Sequence, residues 1–230
     1  MLPHKLMLLV VLTFLFPTVI TGQARKPPAG GRVGIVVDER LAALRATPQL
    51  NGRLMRRLGR GRMVAVRAMR NSAEGITFLL VNVSSRTHGW IQREAVVSPA
   101  RVGDDRRLLE LIERSQGFDR IVRARIFIDY FPRSPLRPAV LLLLGDAGEE
   151  VAARLTTEAS RRLRSTGDAP EFSYYLNYVG LDRYNRQRVG FVFDKTAKRF
   201  HYDGAAWREL LRRHPHSPEA TEARKRIGQH

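Results

Sequence analysis

Ile76-Thr77-Phe78-Leu79-Leu80-Val81-Asn82-Val83 is the clearest strand signal in this chain of 230 residues. Successive side chains of a strand alternate between its faces, so the odd-numbered apolar residues share one face and Phe78 and Leu80 share the other. Residues 71–75 supply a turn before it. Because both faces are largely apolar, the pattern predicts a central strand in a small β-structure.

Shorter apolar stretches on either side predict more strands. They cover residues 33–37, 53–58, 63–69 and 89–92. Gly59 and Gly61 fit the turn between the strands at 53–58 and 63–69. After Ser98-Pro99 the pattern changes from alternation to helical spacing, which predicts a domain boundary between residues 99 and 104.

Four segments of this region resemble bacterial SH3-like domains. They are Ala43-Leu44-Arg45-Ala46-Thr47-Pro48, Arg53-Leu54-Met55-Arg56-Arg57-Leu58-Gly59-Arg60-Gly61-Arg62-Met63-Val64, Gly75-Ile76-Thr77-Phe78-Leu79-Leu80-Val81 and Thr87-His88-Gly89-Trp90-Ile91. The resemblance implies a small β-barrel over residues 33–99 and a role in binding rather than chemistry. In this family the Gly-Trp pair frequently fills the core, so we expect Trp90 to do so. The alternative is that Trp90 borders a ligand groove.

The chain is strongly basic, with 40 Lys and Arg against 22 Asp and Glu and a net charge of +18. Such a field attracts polyanions. Residues 33–98 contain eleven Arg and four acidic residues, a net charge of +7. The candidate ligand-binding residues are Arg45, Arg53, Arg56, Arg57, Arg60, Arg62 and Trp90. Two interpretations stay open for the arginines: a solvated surface that keeps the domain soluble, or direct recognition of an anionic wall or membrane polymer.

The N-terminus predicts a secretory signal peptide over residues 1–24. Lys5 precedes an uncharged apolar run over residues 6–20, and the small residues Gly22 and Ala24 follow. The run is shorter than the roughly 20 residues that cross a bilayer. We therefore expect cleavage after Ala24 and a periplasmic or secreted location in a bacterium, with an uncleaved anchor as the alternative. Residues 25–32 predict a flexible leader.

Helical spacing dominates from residue 104 onward. Asp104 or Asp105 is expected to cap a first helix, and Asp119 to start a second. A third helix is expected over roughly 136–144 and a fourth over 149–164. Gly145-Asp146-Ala147-Gly148 then forms the turn between them, since it lacks the Lys-Ser/Thr of a phosphate-binding loop.

Two later segments have the same form. Tyr130-Phe131-Pro132-Arg133-Ser134-Pro135 is echoed by Arg213-His214-Pro215-His216-Ser217-Pro218, each after one predicted helix and before another. In each, the first Pro stops a helix, Ser caps the next, and the second Pro suits its first turn. These corners resemble tetratricopeptide-like (TPR-like) repeats of bacterial envelope proteins, which implies a helical-hairpin domain over residues 104–230. Residues 189–202 predict an inserted β-hairpin, with helices from 204 and 218.

The residues that perform chemistry are sparse. The absence of cysteine excludes disulfides, a lipid-modified cysteine, cysteine-ligated metals and a thiol nucleophile. Of six histidines only His214 and His216 are close, and spacing places no third metal ligand beside them. We therefore expect no enzyme activity, no metal and no cofactor. A cluster of aromatic residues is expected to pack between helices rather than to form a binding platform; it comprises Phe172, Tyr174, Tyr175, Tyr178 and Tyr184.

The sequence thus predicts an α+β protein: an SH3-like barrel followed by a TPR-like helical domain with an inserted β-hairpin. The expected function is that of an exported, non-catalytic binding protein of the bacterial cell envelope. Its partners are an anionic cell-wall polymer or another envelope ligand and a partner protein, without nucleic acid and without a membrane span after leader cleavage. The alternatives are a scaffold or assembly factor acting only through protein contacts, and an accessory part of a cell-wall hydrolase.

Overall fold

The computed structural model describes residues 30–166, 180–194 and 196–228. In these residues the chain is α+β, with an antiparallel sheet of seven strands followed by helices and a two-stranded hairpin. The predicted signal peptide, residues 25–29 of the predicted leader, and Phe172, Tyr174, Tyr175 and Tyr178 of the aromatic cluster lie outside the described residues.

The sheet contains all five strands that the sequence predicts, together with two short ones. Its strands are β1 (Arg32–Val36), β2 (Ala43–Arg45), β3 (Leu54–Arg57), β4 (Met63–Asn71), β5 (Thr77–Asn82), β6 (His88–Gln92) and β7 (Val96–Val97). A 3-10 helix, Arg93–Ala95, separates β6 from β7. The order across the sheet is β3-β2-β6-β5-β4-β1-β7. The stretch with two apolar faces, β5, is therefore central, as predicted.

The sheet is open, whereas a closed barrel was expected over residues 33–99. Among the described residues, β3 and β7 are the two edges and do not pair with each other. The register of β4 shifts between Val66 and Ala68, and its start pairs with β1 while its later residues pair with β5. Such an irregularity bends a strand. The sheet wraps around an apolar core of its own, whose buried residues are Val36, Ala42, Leu44, Leu58, Val64, Leu79, Val81, Val83, Ile91, Ala95 and Val96.

The helices and the hairpin follow the sheet. They are α1 (Asp104–Glu113), α2 (Gly117–Tyr130), α3 (Arg137–Thr166), α4 (Leu181–Asn185), β8 (Phe191–Asp194), β9 (Arg199–Tyr202), α5 (Ala205–Arg213) and α6 (Pro218–Ile227). The predicted hairpin near residues 189–202 and the two helices after it are confirmed. Within the described ranges, no helix has the length and apolar character needed to cross a membrane.

The expected pair of helices over 136–144 and 149–164 is wrong, because α3 continues through both. Gly145 and Gly148 are helical and lie where aromatic side chains approach the helix. A Cβ atom at Gly145 would overlap the indole of Trp207, and one at Gly148 would lie 2.7 Å from the ring of Tyr202. The two glycines therefore permit close packing and do not form a turn.

The expected capping of α1 by Asp104 or Asp105 is also wrong. Gly103, at φ 84°, is the N-cap residue, and both aspartates lie in the first turn of the helix. The Asp104 carboxylate instead accepts a hydrogen bond from the N–H of Ser98 at 2.7 Å. Asp104 thus joins the start of the helical part to the end of the sheet.

The two predicted corners begin with residues of similar backbone conformation. Phe131 and His214 end their helices with φ/ψ of −117°/54° and −136°/51°. Ser217 caps α6 by accepting a hydrogen bond from the N–H of Ala220 at 3.2 Å. Ser134 accepts one from the N–H of Leu136 at 3.2 Å and donates its hydroxyl to Asp105 at 2.7 Å. Both segments therefore turn one helix into the next, as predicted.

The sheet and the helices share a second, larger core. Ile35 and Val37, on and beside β1, and Val97 of β7 belong to the same buried cluster as apolar residues of α1, α2 and α3. Val36, between Ile35 and Val37, belongs instead to the core inside the sheet. Alternate residues of one strand thus fix the sheet and the helices against each other.

Candidate functional site

Four of the predicted site residues line one cleft at the turn between β3 and β4. Arg56, Arg57, Arg60 and Arg62, here called the arginine cleft, surround an open space of about 250 Å³. Gly61, at φ 75°, makes this turn possible, and its N–H donates to the carbonyl of Val36 at 2.8 Å. The turn is thereby attached to the neighbouring strand β1.

Two of these arginines are engaged with the protein. Arg60 pairs with Glu39 at 3.4 Å and with Asp119 in the first turn of α2. Burial lowers the pKa of Arg60, but the hydrogen bonds and charges of Asp119 and Glu39 outweigh it and raise that pKa above its ordinary value. Arg62 donates to the carbonyl of Val83 at 3.1 Å. Both side chains form fixed sides of the cleft.

Arg56 and Arg57 differ from them in exposure and in partners. They lie on β3, where all four residues are exposed. Neither forms an ion pair with a residue in the described part of the chain. Arg53, just before β3, is also exposed. Among the four residues of the arginine cleft, Arg56 and Arg57 are therefore the ones available to an anionic ligand.

Arg45, Arg53 and Trp90 do not line the arginine cleft. Arg45 pairs directly with Trp90 across β2 and β6, and it donates to the carbonyl of Gly52 at 2.8 Å. Trp90 pairs on its other side with Leu80, and the guanidinium of Arg70 lies 5.6 Å from the centre of its ring. The half-buried Trp90 alternates with the buried Ile91, so it faces away from the core inside the sheet. The expected core-filling role of Trp90 is wrong.

The sequence does not predict the buried hydrogen-bond network that Arg123 forms behind the cleft. Arg123 of α2 donates to the carbonyl of Val37 at 3.1 Å, to the hydroxyl of Ser115 at 2.5 Å and to the carboxylate of Asp38 at 3.4 Å. Burial lowers the pKa of Arg123, although the charge of Asp38 acts in the opposite direction. These bonds hold α2, and with it Asp119, against the sheet. The sequence signal for it is weak, because Arg123 is one of two arginines, with Arg125, in the otherwise apolar stretch 121–128.

Two larger open clefts flank the loop before α1. One, of about 670 Å³, lies between the start of β1 and the middle of β4, and the other, of about 660 Å³, lies beside the first corner. Over the described ranges, no three His, Asp or Glu side chains come close enough together to hold a metal ion. This includes His214 and His216 at the second corner.

Searches against protein-family models, curated proteins and solved structures give no match for this chain.

Proposed function

We propose that this chain is an exported, non-catalytic binding protein of the bacterial cell envelope. Its arginine cleft contacts an anionic cell-wall polymer, and its helical part contacts a protein partner. The supporting observation is the cleft itself, in which two exposed arginines without an ion-pair partner in the described residues stand beside two arginines that the protein holds in place.

The chemistry of the cleft suits a polymer better than a single small anion. Guanidinium groups match the geometry of phosphate and carboxylate groups. Exposed ion pairs are individually weak, about 0–1 kcal/mol each, and are screened by salt. A polymer with repeated charges presents several anionic groups to the arginines at once, so that several weak contacts act together. Binding is therefore expected to fall as the salt concentration rises.

The strand order supports an SH3-like assignment for residues 33–99, even though the sheet is open. The last strand, β7, returns beside β1 after a 3-10 helix, and β4 is shared between two halves of the sheet. The matching corners at Ser134 and Ser217 support the TPR-like assignment for residues 104–230. In this proposal the first region supplies the polymer site and the second the protein contact.

Sedimentation with isolated, polymer-bearing cell wall tests the polymer site. The chain from residue 25 onward is expected to sediment at low salt and less at physiological salt. Replacing Arg56 and Arg57 with Gln is expected to weaken binding about fivefold or more, at roughly 0.5–1 kcal/mol per arginine.

Arg133→Gln with Arg212→Gln is the matched control, because it removes the same charge from exposed positions of the helical part. It is expected to change binding less than twofold, at about 0.2 kcal/mol per charge. Equal losses in the two double variants, or no sedimentation at either salt, would contradict a polymer site at the cleft.

A scaffold that acts only through protein contacts is the second candidate. The shared core favours it, because Ile35, Val37 and Val97 of the sheet region stabilise the helices directly. Recovery of the same partner from cell envelopes by the wild type and by the Arg56→Gln, Arg57→Gln variant, together with failure to bind cell wall, would support this candidate. Lytic activity on wall material would favour a hydrolase instead.

A further inference from the structure

We infer that β3 is a docking edge that accepts an extended acidic segment of another polypeptide as an additional strand of the sheet. This goes beyond the proposed polymer site, because the segment pairs with the backbone of β3 and not only with arginine side chains. The inference rests on the exposure of this edge, on the closure of the opposite edge, and on the charge along β3.

The backbone of β3 is turned partly outward. Leu58, just after the strand, donates its N–H to the carbonyl of Ala42 at 3.0 Å. In an antiparallel ladder, neighbouring residues turn their N–H and C=O groups to opposite sides. The N–H and C=O of Arg57 therefore point away from β2, toward the side of β3 on which no described strand lies.

The opposite edge of the sheet is closed from within. Arg107 of α1 donates its guanidinium to the carbonyl of Glu94 at 3.0 Å and to the carbonyl of Val96 in β7. Burial lowers the pKa of Arg107, whereas the neighbouring Asp104 acts to raise it. Proteins commonly cover the edges of their sheets, because unpaired edge groups attract other strands. Here one edge is covered and the other is exposed.

The charge along β3 selects an acidic occupant. Arg53 precedes the strand and Arg56 and Arg57 end it, whereas no acidic residue lies between Glu39 and Glu74. Like charges placed opposite each other destabilise strand pairing. In an antiparallel pair with a second copy of β3, Arg56 and Arg57 would face Met55 and Leu54 and meet no carboxylate, so pairing of this chain with itself satisfies neither charge. Carboxylates on an incoming strand would instead face guanidinium groups.

The order of residues in β3 also predicts the order in its partner. Leu54 and Met55 are 47 % and 44 % exposed and precede the two arginines. Every pairing in this sheet is antiparallel, so an added strand is expected to run opposite to β3. Read from its N-terminus, the partner then presents acidic residues first, opposite Arg56 and Arg57, and apolar residues next, opposite Leu54 and Met55.

Binding of fluorescent eight-residue peptides to the chain from residue 25 onward tests this inference. A peptide in which two glutamates precede two valines is expected to bind about fivefold more tightly than the peptide with the reversed order. Two further versions carry N-methyl groups on alternate amides, either at the odd or at the even positions. One version is expected to lose about tenfold or more in affinity and the other to bind within about twofold of the parent, because only one set of amides faces β3.

Variants of Arg57 separate backbone pairing from charge. Arg57→Pro and Arg57→Gln both remove the charge, but only proline also removes the outward N–H, a change that edge strands tolerate. Proline is expected to weaken peptide binding at least about fivefold more than glutamine, while the two variants sediment equally with cell wall. Equal binding of the two N-methylated peptides, or no saturable binding, would overturn the inference and show that the arginines only protect the edge. The peptide result does not depend on the folding of a variant. It also leaves the polymer site to be tested separately by sedimentation.

Discussion

Arg123 illustrates how one residue connects the two parts of the molecule. Its side chain is 8 % exposed, and its guanidinium reaches the backbone of the sheet region, a serine hydroxyl and the Asp38 carboxylate. A buried charge whose counter-ion is removed is strongly destabilising, more so than an exposed one. The neighbouring acid Glu39, which is 50 % exposed, pairs with Arg60 at the surface. The adjacent carboxylates of Asp38 and Glu39 are therefore expected to contribute very differently to the free energy of unfolding.

Asp38→Asn is expected to lower the free energy of unfolding by about 3 kcal/mol, because it leaves the charge of Arg123 buried without its counter-ion. Glu39→Gln is the matched control and is expected to lower it by about 1 kcal/mol or less, since its ion pair is solvated. Urea unfolding of the chain from residue 25 onward, followed by circular dichroism, measures both. Equal losses of unfolding free energy in the two variants would show that the Asp38 carboxylate stabilises the buried charge of Arg123 only a little.

At the scale of the element, α3 organises the helical part. It packs against α2, β9, α5 and α6. Its two glycines provide the space for aromatic rings from β9 and α5, and the Tyr202 and Trp207 rings also meet edge to face at 5.5 Å. Burial raises the pKa of Tyr202 to about 12, although the hydrogen bond from the Ala206 N–H lowers it. Tyr202 therefore stays neutral at any ordinary pH.

Gly145→Ala is expected to destabilise the protein by about 2 kcal/mol, because the added methyl group overlaps the indole of Trp207. At an uncrowded helix position the same change stabilises by about 1 kcal/mol. In a Trp207→Ala background the overlap is removed, so Gly145→Ala is expected to become neutral or stabilising there. Chemical unfolding of the four proteins in this cycle gives the coupling, and additive effects would contradict the packing explanation.

The sequence predicts most periodic elements well, with the exception of the long helix α3, and it predicts close approaches poorly. Apolar alternation revealed β5, and the Pro-x-Ser-Pro corners revealed the ends of α2 and α5. By contrast, β2 and β7 have three and two residues, too few for a recognisable alternation. The sequence pattern predicts a turn at the glycines of α3, because the ring of Trp207, which requires a glycine at position 145, lies far away in the sequence. The ion pairs of Arg60 with Asp119 and of Arg123 with Asp38 are not predictable for the same reason, because the partners lie far apart in the sequence.

At the scale of the whole molecule, a shared core joins the sheet and the helices. The larger core draws buried residues from β1, β7, β9 and all six α-helices of the described residues, and Asp104 and Arg107 of α1 bond to the end of the sheet. Domains that share a core are expected to unfold together. The predicted boundary between residues 99 and 104 is a change of secondary structure across a tightly packed junction.

The two tryptophans allow this unity to be measured, because Trp90 lies in the sheet and Trp207 lies in α5. The fluorescence of Trp207→Phe follows the sheet, and that of Trp90→Phe follows the helices. Each variant is expected to give a urea midpoint that coincides with its own circular-dichroism midpoint. In the Trp207→Phe variant, the fluorescence of Trp90 reports on the sheet and circular dichroism reports mainly on the helices. Clearly different urea midpoints for these two signals would show that the two parts unfold independently.

The guanidinium of Arg107 on the carbonyls of Glu94 and Val96 also limits assembly by strand addition at the edges of the sheet. Growth of a fibre by strand addition requires two receptive sides, so that each new molecule offers a place to the next. In this chain one of those sides is already filled by an intramolecular contact. Recruitment of a guest strand would therefore stop after a single molecule, and the product would be a discrete one-to-one complex instead of a filament.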